Sequence, residues 1–102
     1  MSLVFKALAD PTRRQVLQLL KEHPMSAGEI AEHVAVAKPT LSAHLALLRE
    51  AGLVSSQKKG TTITYWLNAS VLEEVLTNLA DALDLGLVRR TAGRRAAARR
   101  NP

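Results

Sequence analysis

Residues 26–54, SAGEIAEHVAVAKPTLSAHLALLREAGLV, decide the fold. Ser26, Ala27, Gly28 and Glu29 have the spacing of a capping box: the serine hydroxyl accepts from the glutamate backbone N–H, and the carboxylate reaches back to the serine N–H. A helix is expected from there to roughly Val34, with Ile30, Ala31 and Val34 as its apolar stripe. Val36 and Ala37 break the pattern. A second helix starts near Lys38 and Pro39, where proline is tolerated because a first-turn N–H has no helical partner. Leu41, Leu45 and Leu48 recur at helical spacing and face inward, while Pro39, Ala43, Ala46 and Glu50 point the other way and Thr40 and Ser42 lie on the flanks. Gly52 supplies the stop.

After Leu53 and Val54 the apolar period shortens to that of a strand. Ile63, Tyr65 and Leu67 alternate with Thr62, Thr64 and Trp66, and Lys58-Lys59-Gly60-Thr61 marks a turn between two short runs, so a hairpin with a basic tip is expected. Asn68 or Ser70 can cap the following helix, in which Leu72, Val75, Leu76, Leu79 and Leu83 repeat to about Leu85. On the N-terminal side, Leu3, Val4, Ala7 and Leu8 form a short first helix. Asp10 and Pro11 then read as an N-cap followed by a first-turn proline, opening a helix whose stripe is Val16, Leu17, Leu19 and Leu20 and which ends before Pro24. The sum is a mainly α fold with a small β-hairpin: five helices and a two-stranded wing. Two short helices with a tight break, followed by a lysine-tipped hairpin, are the parts of a winged helix-turn-helix.

A chain of 102 residues has the length of one domain, which typically holds about 100–150. Aromatics make up only 3% of it, so the core must be built from Leu, Val, Ile and Ala, a palette that suits packed helices. Charge is distributed unevenly. Residues 1–88 hold eight Lys and Arg against all nine acids, and residues 89–102 hold six arginines and no acid. We therefore expect a domain over 1–88, nearly neutral, and a basic tail over 89–102 that is disordered in isolation and adds sequence-independent attraction to a polyanion. The absence of cysteine excludes disulfides, thiolate metal sites and cysteine nucleophiles. No apolar run approaches the ~20 residues of a membrane span and no leader is evident, so a cytoplasmic protein is expected.

A helix fits the major groove, and the first turns of the second helix of such a pair meet base edges and phosphates. Here that segment is Lys38 to His44. Lys38, Thr40, Ser42 and His44 can hydrogen-bond to nucleic acid, small Ala43 permits close approach, and Lys58 and Lys59 ride on the hairpin against flanking backbone or minor groove. His44 also borders the inward face, so an interhelical histidine competes equally with a DNA contact. Arg13 and Arg14 read first as partners of Asp10 or of acids on neighbouring helices. Glu29 and His33 share a helical face but lack a third ligand, and are expected to be a solvated pair. Ser42 and His44, two apart on a helix, do not face each other as a nucleophile and base would. With no phosphate loop, dyad or metal cluster, an enzyme is not expected, nor is a cofactor.

Three segments, DPTRRQVLQLL (10–20), AKPTLSAHLALLREAGLV (37–54) and KKGTTITYWLN (58–68), together resemble the matching parts of ArsR-family repressors, and the likeness spans residues 3 to about 85. The resemblance implies a homodimer through first and last helices, with Leu3, Val4, Leu72, Val75, Leu76, Leu79 and Leu83 at the interface. It maps the groove-facing positions onto Lys38, Pro39, Ser42 and Ala43. Two departures stand out: many relatives carry serine at the position of Ala37 and histidine at that of Ala43. The cysteine positions of the family's metal motif fall on Ser26, Gly28 and Ala31, so the resemblance is to autorepressors without a metal site. It implies a repressor of double-stranded operator DNA, with room for an inducer or partner protein that the residues do not identify. The rival reading is a winged-helix module that binds another protein, which an exposed apolar patch on the helix from Lys38 would favour.

Overall fold

The structure is a computed structural model that describes residues 3–86. In chain order the elements are α1 (Leu3–Leu8), α2 (Pro11–Glu22), β1 (Met25–Ser26), α3 (Ala27–Ala31), α4 (Lys38–Glu50), β2 (Val54–Lys59), β3 (Thr62–Leu67) and α5 (Ala69–Ala82). The five helices follow the expected order. The arginine-rich segment 89–102 lies outside the described residues. The chain divides after Val71 into two compact units.

In the first unit the helix starts are built as the residues dictate. The Asp10 carboxylate accepts from the backbone N–H groups of Thr12 (2.8 Å) and Arg13 (3.0 Å), capping α2. Ser26 and Glu29 form the reciprocal capping box, at 3.1 and 3.2 Å. α3 is shorter than the apolar pattern predicts, ending at Ala31. There the N–H groups of Glu32 and His33 bond three residues back, tightening the last turn, and Gln15 of α2 donates to the His33 carbonyl at 3.0 Å. Val34 stays buried although it has left the helix.

Leu41, Leu45 and Leu48 bury one side of α4, joining Ala7 of α1, Val16 and Leu20 of α2, Ile30 of α3 and Leu53 and Val54 in the core. α1, α2 and α3 all pack on α4. The sheet has three antiparallel strands in the order β1-β3-β2, one more than the wing that the alternation predicts. β1 pairs Met25 with Tyr65 and Ser26 with Thr64. A two-residue strand has no periodicity to read, and Pro24 just before it fits the start of an edge strand.

Two glycines carry positive φ where the turn demands it. At Gly52 (φ 80) the N–H groups of Gly52 and Leu53 bond back to Arg49 and Leu48, a Schellman end to α4. Gly60 (φ 64) sits first in the two-residue hairpin loop between the paired Lys59 and Thr62, as a type II′ turn requires.

In the second unit α5 runs on to Ala82, and the N–H groups of Asp84 (φ 54) and Leu85 bond back to Asp81 and Ala80. Ala80 is buried, whereas Leu76, Leu79 and Leu83 are 44%, 38% and 60% exposed. Among the described residues no helix is long and apolar enough to cross a membrane.

Replacing Leu45, 2% exposed, with alanine is expected to cost about 2–5 kcal/mol through lost burial and the cavity left behind. Urea unfolding measures this, and a loss below ~1 kcal/mol would mean that α4 is not seated on the core as described.

Candidate nucleic-acid interface

Inward packing of Leu41 leaves the rest of the first turns of α4 outside: Lys38, Pro39, Thr40, Ser42 and Ala43 are all exposed. Ala37 is the N-cap, with extended backbone and no side chain to bond the first-turn amides. Those N–H groups and the positive end of the helix dipole therefore face solvent together with the Lys38 ammonium, an arrangement suited to phosphate. Lys58 and Lys59 are exposed on β2 beside the hairpin turn. The wing is tied to α4 at its base. Arg49 donates to the Ser56 hydroxyl at 3.3 Å. The Asn68 amide donates to the Gly52 carbonyl (3.0 Å) and bonds the Ser55 hydroxyl (2.9 and 3.2 Å). Asn68 reads as a helix cap from sequence. Its side chain instead locks the far end of β3 to the end of α4.

His44 is only 15% exposed in its side chain and faces α2. Its Nδ1 lies 3.1 Å from an Arg13 guanidinium nitrogen and its Nε2 lies 3.9 Å from the Asp10 carboxylate, the geometry of the interhelical reading. Arg13 also donates to the carbonyls of Ala7 (2.9 Å) and Lys6 (2.7 Å), and Arg14 donates to that of Leu8 (2.8 Å). Both arginines thus cap the C-terminal end of α1, where sequence pairs them first with acids. Asp10 is held below its ordinary pKa, chiefly by the Arg13 backbone N–H, then by that of Thr12, with the Arg13 charge adding to the effect and desolvation opposing it.

Glu29 is committed to the capping box, and among the described residues no three His, Asp or Glu side chains converge as metal ligands. Between α3 and α4 runs a groove of about 230 Å³, lined by Gly28, Ala31, Lys38, Leu41 and Ser42 among others, below the roughly 300–1,000 Å³ usual for small-molecule sites.

An exposed helix start on a buried helix pair, with a basic hairpin beside it, defines a winged helix-turn-helix protein. Residues 10–56 match the bacterial regulatory proteins of the arsR family. The transcriptional repressor SdpR of Bacillus subtilis (strain 168) is 44% identical over 86 residues, covering 84% of this chain and 96% of SdpR. An arsenical resistance operon repressor of Staphylococcus aureus is 34% identical over 79 residues, covering 78% of this chain and 76% of the repressor. Among solved structures, an ArsR-like transcriptional regulator from Rhodococcus sp. RHA1 superposes with a TM-score of 0.73 at 30% identity, covering 98% of this chain and 91% of that one. The chain belongs to the ArsR family of bacterial regulatory proteins.

Because Ala37 leaves the first turn of α4 uncapped, Ala37→Ser is expected to stabilise the fold by about 1 kcal/mol, readable as a raised urea midpoint. A lowered midpoint would contradict the assigned start of the helix.

Proposed function

We propose that the chain is a DNA-binding repressor that acts as a homodimer on a pseudo-palindromic operator in the cytoplasm, a regulator and not an enzyme. Each protomer lays the edge from Lys38 to His44 in a major groove, the two grooves about one helical turn apart. Lys38, Thr40 and Ser42 supply the hydrogen-bonding groups, Pro39 and Ala43 allow close approach, and His44 sets the rear limit of the edge. Lys58 and Lys59 bind the flanking backbone or minor groove, and the arginines of 89–102 add attraction that does not depend on sequence.

The observation that carries this reading is the exposed polar first turn of α4. A protein-binding module would be favoured by large apolar side chains on that face. Among the described residues, the exposed large apolar side chains lie on α1, α5 and the segment just after α5. Those of α5, with Leu3 on α1, support the dimer: Leu3, Val4, Leu72, Val75, Leu76, Leu79 and Leu83 are its proposed seam.

Replacing both Lys38 and Ser42 with alanine should leave the dimer intact and weaken binding to a selected duplex by at least roughly tenfold more than to random DNA. Equal losses on the two would mean that α4 does not read sequence. Leu79→Glu should convert the dimer to a folded monomer in analytical ultracentrifugation, and an unchanged mass would remove α5 from the seam.

A further inference from the structure

Arg13 is the meeting point of three helices. Its Nε and one terminal nitrogen hold the Ala7 and Lys6 carbonyls at the end of α1, its backbone belongs to α2, and its other terminal nitrogen reaches His44 on α4. A guanidinium only donates, so Nδ1 of His44 must accept, which requires a neutral ring with its proton on Nε2. That N–H points towards the Asp10 carboxylate, at 3.9 Å too distant for a direct bond. His44 lies one turn after Thr40 and Leu41. Fixing its ring therefore fixes the rotation of α4 about its own axis, and with it the direction in which Lys38, Thr40 and Ser42 project.

We propose that Arg13 is a positioning residue for DNA binding: it sets the orientation of α4 by donating to His44 Nδ1 and does not itself touch DNA. This rests on the DNA-binding reading above. The charged groups facing the ring are Arg13 of α2 and Asp10, which caps α2; from α1 come the carbonyls that Arg13 covers.

The test uses the full chain at fixed pH and salt, on a duplex that the wild type recovers from a randomised pool. His44→Gln has an amide oxygen that can accept from Arg13, so it should retain the wild-type affinity. Arg13→Ala should bind that duplex roughly tenfold more weakly. Nitrogen-15 NMR of the free wild type should show His44 Nδ1 unprotonated, and Arg13→Ala should release that tautomer. The inference is overturned by a His44→Gln loss as large as that of Arg13→Ala, by a protonated Nδ1 in the neutral ring, or by an Arg13→Ala loss that is uniform across sequences and reduces the salt slope by about one, the mark of a direct phosphate contact. Failure of the wild type to recover any duplex would sink the DNA-binding reading and this inference with it, whereas the variant and NMR outcomes decide the Arg13 inference alone.

Discussion

Burial of Leu41, Leu45 and Leu48 along one side of α4 constrains everything the opposite side can do. Three leucines at helical spacing set the rotation of the helix against the core coarsely, since a shift of one residue would turn them by ~100° towards water. That setting leaves Lys38, Thr40 and Ser42 outside together. The rest of the first unit serves the same seat. α1, α2 and α3 pack on α4, the Schellman turn at Gly52 ends it, and Asn68 fastens the hairpin to that end.

Hydrophobic burial sets the seat coarsely, and directional bonds refine it. Gln15 holds the end of α3, Arg49 joins α4 to β2, and Arg13 links the end of α1 to His44. Each is a side chain reaching a group on another element, and each is partly open to water, so none carries much of the stability. Their contribution is geometric, fixing angles between elements that apolar contacts alone leave loose.

Local chemistry made most of the fold legible. Capping at Asp10 and Ser26, the glycine stop at residue 52 and the change of period after Val54 each act within a few residues, and the structure has all of them. What stayed hidden depends on distant partners. β1 is only two residues long and exists because β3 offers Met25 and Ser26 an edge. α3 stops early in a turn tightened by bonds three residues back, and Gln15, 18 positions away, donates to the His33 carbonyl just beyond it. At the candidate interface, periodicity alone turns Pro39 and Ala43 away from the core and puts Thr40 and Ser42 on the flanks, and the structure leaves all four exposed. The tie of His44 to Arg13 spans 31 positions, and the only sequence hint was the place of His44 beside the inward stripe. The missing cap at Ala37, by contrast, could be read from one side chain.

On the proposed reading, the outer edge of α4 reads DNA twice over in a symmetric pair. The most direct measurement is a hydroxyl-radical footprint of the purified full chain on the DNA upstream of its own coding sequence. Two protected patches related by a two-fold axis are expected, their centres about one helical turn apart. Protection that follows no sequence, or a single patch without symmetry, would contradict it.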